Sequence, residues 1–341
     1  MTRDTWHDGR FDRLFVAVAL PFKADSFDVD EEGVRRHLRY FLQPRYVEAG
    51  IAIIINPEAG EIFYLSRQEK QRNVQIAVEE CRGKVPLFAG AIDLRTEDAV
   101  AVAEDAKEAG ADGIFVIPPL GAIDITTSWN AAKYPEVWID QVKAIDQAVD
   151  LPLIAHPVAT PNIAYGNGFP LEATLRMCRE VPNFVGWKMT YNWDGWKTVG
   201  RGLRGLRLHV GVLGAPATYF HEALACGLFD GTATGSFNYA LEPMMDHIVA
   251  WRGGDVKRAA EIWNGGLSEL QEYVYSDYSR LHVRYKVATW IRGLIAHPFM
   301  RPPMPRPKRE EAATLYRLMR QAGLQTIDQR VFEAEASTLS A

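Results

Sequence analysis

Short, unbroken apolar runs recur along the chain, and longer mixed stretches separate them. The runs are LFVAVAL (14–20), IAIIIN (51–56), VPLFAGAI (85–92), GIFVIPP (113–119), LPLIAHP (151–157), NFVGWK (183–188), LRLHVGVLG (206–214) and FDGTATG (229–235). A continuous apolar run, as opposed to an alternating one, suits a parallel strand covered on both faces. The intervening stretches read as helices. TEDAVAVAEDAKEAGA combines acids near its start with a closing glycine that fits a C-cap. Eight strand candidates, most preceded by a helix, predict an α/β protein of the (β/α)8 TIM-barrel type. An open doubly wound sheet usually carries a glycine-rich phosphate loop after its first strand, and ALPFKADSF has none.

Beyond Ala240 the pattern is helical throughout, in EPMMDHIVAWRGG, VKRAAEIWNGGLSELQEYVYSDY, RYKVATWIRGLIA and KREEAATLYRLMRQAGL, with HPFMRPPMPRP as an extended connector. The expected organisation is an N-terminal tail over 1–12, the barrel over 13–240, a C-terminal helical extension over 241–325 and a tail over 326–341.

Composition narrows the function without naming it. The chain has 341 residues, 48% hydrophobic and 24% charged, with a formal net charge of −5. That balance gives no reason to expect a nucleic-acid or anionic-membrane partner. No apolar run approaches the roughly 18 residues of a membrane span, and the polar start lacks the apolar core of a signal peptide. The three cysteines are widely spaced and the histidines show no zinc spacing. Buried free thiols, no metal and a cytoplasmic setting are expected.

In a barrel of this type the chemistry collects at the C-terminal ends of the strands. That rule selects Asn56-Pro57-Glu58-Ala59-Gly60-Glu61, Pro118-Pro119, His156, Lys188, Gly214 and the segment from Thr234 to Asn238, with Ser236 in it. Lys188 closes an apolar run. Partial desolvation disfavours its charged form, and a neutral amine attacks carbonyls to give a Schiff base. The plainer alternative is a lysine that reaches the rim or pairs with an acid such as Glu61.

Several segments, in order, resemble the dihydrodipicolinate synthase / N-acetylneuraminate lyase family of class I lyases and aldolases. The resemblance spans about residues 12–324. VALPF (18–22) is similar to the family's first-strand segment, and NPEAGEIFYLSRQEK (56–70) to its Gly-Thr-Thr-Gly-Glu loop. GADGIFVIPP (110–119), FVGWK (184–188), GLFDGTATGSFN and MRPPM match later landmarks. The resemblance implies a Schiff base on Lys188 with no other cofactor, a small carbonyl substrate such as a 2-oxo acid, and a homotetramer or dimer. Carbon–carbon cleavage or formation is the expected reaction. Dehydration or deamination of a 2-oxo-3-deoxy acid or cyclic imine is the second choice, and a degenerate metabolite-binding barrel is the reading from another class.

The chain departs from the family at the positions that meet substrate. Glu58 and Ala59 stand where the family has its Thr-Thr pair, which holds the substrate carboxylate. The backbone N–H groups of Ala59 and Gly60 are left as donors; Glu58 either points away or contacts a substrate hydroxyl or cation. His156 stands where the family has its catalytic tyrosine, and an imidazole can serve as acid or base. Tyr165, Tyr191 and Tyr134 are loop phenols that can replace the missing one. Pro161 lies near the place of an arginine that dihydrodipicolinate synthases carry, so lysine biosynthesis is not the expected role. Trp187, Tyr191, Trp193 and Trp196, with Trp129 and Tyr134, either line an aromatic pocket or pack barrel against helices.

Overall fold

A computed structural model describes residues 6–119 and 129–340. It contains a closed parallel barrel of eight strands and a separate two-stranded hairpin. In chain order the strands are β1 (Leu14–Ala17), β2 (Ile51–Ile55), β3 (Leu87–Ala91), β4 (Gly113–Val116), β5 (Leu153–Ala155), β6 (Val158–Asn162), β7 (Gly166–Gly168), β8 (Phe184–Met189), β9 (Gly211–Gly214) and β10 (Gly231–Thr234). The barrel runs β1-β10-β9-β8-β5-β4-β3-β2, and β2 pairs with β1 to close it. Seven of the eight barrel strands fall inside the apolar runs, and β8 runs one residue past its own, to Met189. The hairpin β6–β7 is an element the hydrophobic pattern does not show: VATPN is polar and half-exposed to exposed, with no apolar face to mark it.

Local chemistry sets the helix ends. Asp30 caps the helix Glu31–Phe41 by accepting from Gly33 N. Ser66 and Glu69 form a reciprocal capping box at the helix Arg67–Cys81. Gly110 ends the helix Thr96–Ala109 at φ 101°, where glycine has no Cβ to clash.

Inward side chains fill the barrel in layers: Phe15, Ile54, Phe88, Phe115, Ile154 and Leu213 pack together. Trp6 and Phe11 join them, so part of the expected N-terminal tail plugs the N-terminal end of the barrel. At the other terminus a tail is expected, but the chain forms a helix, Gln329–Ala336. Its Phe332 stacks on Tyr316 with ring centroids 4.2 Å apart. The helical segment Phe237–Arg252 is kinked at Ala240, the expected barrel boundary, where φ is −126° and ψ 29°. Cys81 and Cys178 are buried, whereas Cys226 is exposed. No helix among the described residues is long and apolar enough to cross a membrane.

One irregularity decides which way β8 faces. Leu153 pairs with Phe184 but Ile154 with Gly186, so Val185 is an extra residue, a β-bulge. Val185 packs with the barrel interior. A Cβ on Gly186 would lie 2.6 Å from Leu213 Cδ1, so Gly186 also faces inward. The bulge resets the alternation. Trp187 then points out, against Trp138 and Phe184, and Lys188 points in. Strict alternation from Phe184 would have sent Trp187 into the barrel and Lys188 among the helices.

Candidate active site

A cavity of about 160 Å³ opens at the C-terminal ends of the strands. Lys188, Glu58, Ala59 and His156 all line it. Lys188 is 9% exposed. Burial pulls its pKa down from 10.5 to about 8, and the Glu58 carboxylate opposes part of that fall. Its Nζ lies 5.6 Å from the centre of the Phe115 ring. Among the described residues no side chain or carbonyl hydrogen-bonds this amine. Nor does Glu61 pair with it: Glu61 forms a fully buried ion pair with Lys286 and accepts from Arg301 N at 2.8 Å. Among the described residues lining the cavity, Lys188 is the single lysine or arginine.

His156 follows β5 and packs beside Phe115, centroids 5.3 Å apart. Its Nε2 lies 3.1 Å from Glu58 Oε2. Burial, with Lys188 and His282 nearby, pushes its pKa well below the ordinary 6.5. The ring is therefore neutral, and the facing carboxylate assigns its proton to Nε2. Nδ1 is buried without a partner. Glu58 thus points inward, to the imidazole. It is carried by a short turn, Glu58–Gly60, that leads into Glu61 at φ 58°.

Four other sequence-selected residues do not reach the cavity wall, each for a visible reason. Gly60 donates its N–H to Pro57 O at 3.0 Å, so that donor is taken. Gly214 faces outward; a Cβ there would lie 2.7 Å from Phe229. Ser236 sits one layer back, its Oγ 3.2 Å from Tyr275 Oη. Asn238 ties the closing helix to the first strand. Its Nδ2 donates to Ala17 O at 2.8 Å and Gly235 O at 2.7 Å, and its Oδ1 accepts from Ala19 N at 2.9 Å.

The aromatics near Lys188 are packing residues. Trp187, Tyr191 and Trp196 are fully buried behind the sheet. Trp187 Nε1 donates to Tyr191 Oη at 2.9 Å, and Tyr191 donates to Phe169 O at 3.0 Å. Trp129 Nε1 donates to Tyr134 O at 2.8 Å. None of the loop phenols proposed from sequence lines the cavity.

The phenols that do come from the C-terminal helices. Tyr275, Tyr278, His282 and Tyr285 form the wall facing Lys188. Tyr285 Oη donates to Tyr275 Oη at 2.5 Å, and Tyr275 Oη donates to Ala215 O at 2.8 Å. Burial raises the Tyr285 pKa well above 10, so this phenol stays protonated. A signal for this wall exists in LHVRYKVATWI (281–291). The helix has ten buried residues, Arg284 and Lys286 among them. Polar side chains in a helix buried all round are either partnered or functional.

Asp12, His209 and Asp230 bring three possible metal-ligand atoms within 4.8 Å at the opposite end of the barrel. Arg204 holds Asp230 at 2.6 Å and Asp12 holds His209 at 2.9 Å, which makes the group an ion-pair cluster.

Comparison with known proteins points to one family. The model of the dihydrodipicolinate synthetase family matches residues 10–322. The chain is similar to the 4-hydroxy-tetrahydrodipicolinate synthase of Methanopyrus kandleri, 27% identical over 309 residues that cover 90% of this chain and 95% of that one. It is also similar to an uncharacterized DapA-like lyase of Thermofilum pendens, 26% identical, covering 92% and 98%. Among solved structures it resembles the dihydrodipicolinate synthase of Aquifex aeolicus, with a TM-score of 0.76 at 22% identity, covering 93% and 100%. YagE of E. coli K12, solved in complex with pyruvate, gives a TM-score of 0.76 at 22% identity, covering 92% and 99%.

Proposed function

The chain belongs to the dihydrodipicolinate synthetase family and is a lyase, and from that premise we propose that Lys188 forms the Schiff base with its carbonyl substrate. The substrate is a 2-oxo acid or a related carbonyl compound, and the reaction makes or breaks a carbon–carbon bond. One observation carries the reading: an inward amine at the end of β8, with a pKa near 8 and no fixed counter-ion among the described residues, opens onto a cavity.

The amine attacks the carbonyl carbon and water leaves. The protonated iminium then draws electrons from the neighbouring carbon and stabilises the carbanion that bond cleavage produces. Proton steps fall to the pair His156 and Glu58, which face each other at 3.1 Å. Ala59 and Glu58 occupy the loop that holds a substrate carboxylate in relatives, but Glu58 brings a negative charge of its own. Carboxylate binding therefore works against that charge, with the Tyr285 and Tyr275 hydroxyls already donating to Tyr275 Oη and Ala215 O, and affinity for a 2-oxo acid is weak.

No cofactor beyond the covalent Lys188 linkage is invoked. The enzyme works in the cytoplasm as a dimer or tetramer. Sedimentation velocity reads the assembly; a single monomer peak at micromolar concentration removes that part. The chemical reading is tested by incubating the protein with pyruvate and borohydride and weighing the intact chain. One reduced pyruvyl adduct per chain is expected. A retro-aldol screen over 2-oxo acids, with free pyruvate as the readout, then identifies the substrate. No adduct across a broad carbonyl panel would overturn the reading.

A further inference from the structure

We infer that Glu58, not His156, exchanges protons with the substrate held on Lys188, and that His156 is its positioning residue. This rests on the Schiff-base reading above and assigns a division of labour within it.

Burial separates the two side chains. His156 is 1% exposed, against 27% for Glu58. Neither imidazole nitrogen is open to a ligand: Nε2 faces Glu58 Oε2, and Nδ1 is enclosed without a partner. For His156 to act as a base, Nδ1 would have to take a proton in a buried position without a partner, beside Lys188. That is the process its depressed pKa opposes. As a neutral ring it donates one N–H, and the carboxylate receives it.

Glu58 has a second oxygen. Oε2 faces the imidazole, and the side chain lines the same cavity as Lys188. Its charge is felt at Lys188 and at His282. The groups facing it from the C-terminal helices are not competing bases. His282 has its pKa lowered by burial, Tyr285 is a buried phenol with a raised pKa, and the more exposed Tyr278 phenol also has its pKa raised. Tyr275 donates its proton to Ala215 O. Glu61 is committed to Lys286 and Arg301 N.

The step balances without an outside reagent. In the iminium, the carbon next to the iminium carbon loses a proton to the Glu58 carboxylate. The C–H pair becomes the C=C bond, and the C=N pair moves to nitrogen. The products are a neutral enamine and a carboxylic acid. In reverse, the acid returns its proton to the enamine carbon and restores the iminium and carboxylate. The His156 Nε2–H holds the same oxygen in both states and fixes the direction of the other.

The test uses the full-length enzyme with pyruvate in D2O, following loss of the methyl proton signal by NMR. Borohydride trapping on Lys188 runs in parallel. Glu58→Gln is expected to slow exchange by about 100-fold or more, with the trapped fraction within about threefold of wild type. His156→Gln keeps an N–H donor near the Nε2 position and stays within about tenfold, whereas His156→Leu falls further with its adduct intact. Exchange in Glu58→Gln within about threefold of wild type, or His156→Gln as slow as Glu58→Gln, overturns the assignment. If the wild type gives no adduct, the Schiff-base reading fails and takes the assignment with it. An adduct with undiminished exchange in Glu58→Gln removes this assignment alone.

Discussion

Lys188 and Lys286 are both buried amines lying over a phenylalanine ring, 5.6 Å from Phe115 and 4.2 Å from Phe22. Their surroundings differ in one respect. Lys286, on the helix Leu281–Ile291, is paired with Glu61 and donates to Phe299 O at 3.2 Å. Among the described residues Lys188 has no such partner, and it faces a cavity. In both, burial lowers the pKa. Where a carboxylate is locked against the amine, the charge is neutralised in place and the residue fastens the extension to the loop after β2. Where the counter-charge stands off, the amine is left to react. Burial alone does not distinguish a structural lysine from a nucleophile; the fixed partner does.

The contrast is sharpest in Lys188→Met. Removing the nucleophile should abolish turnover, a loss of about 10⁴-fold or more. The same change should raise stability. The folded pKa of Lys188 is about 8 against 10.5 when exposed. Between those values the unfolded chain binds more protons, so stability rises with pH across that window. Below it the buried ammonium is a standing cost of about 1–3 kcal/mol. Thermal denaturation at pH 7 checks this: a melting temperature at or below wild type would contradict it.

Lys286→Met should do the reverse. It leaves Glu61 charged, buried and without its ammonium, at a cost of about 3–5 kcal/mol. Urea unfolding reads that loss, and any protein that stays folded should still trap pyruvate on Lys188. A variant as stable as wild type would show that the ion pair holds nothing together.

A smaller effect is expected from Tyr285→Phe, which removes the hydroxyl that donates to Tyr275 Oη in the far wall. KM should rise about fivefold, with kcat and trapping nearly unchanged. A large fall in kcat would instead move Tyr285 into the proton path.

The two lysines also differ in how legible they were. Lys188 and His156 end apolar runs, so the barrel rule locates both from sequence. That Lys188 faces inward depends on the bulge at Val185, because an unbroken six-residue strand would point it out. No residue type in FVGWKM announces that extra position. The Lys286–Glu61 pair joins positions 225 residues apart, and the wall of Tyr275, Tyr278, His282 and Tyr285 depends on how helices dock over the barrel mouth. Periodicity predicts such helices but not the face they present to a distant loop. Asn238 and Gly214 teach the converse. Position at a strand end selects candidates, but a fully bonded amide or an outward glycine takes no part in the cavity.

Site-resolved trapping tests the central claim most directly. Wild-type protein is treated with pyruvate and borohydride at several pH values and digested, and each lysine peptide is weighed. The adduct should sit on Lys188 and not on Lys286, with an initial rate that climbs toward pH 8 as the amine loses its proton. An adduct on Lys286, or none on Lys188 at any pH, would contradict the account.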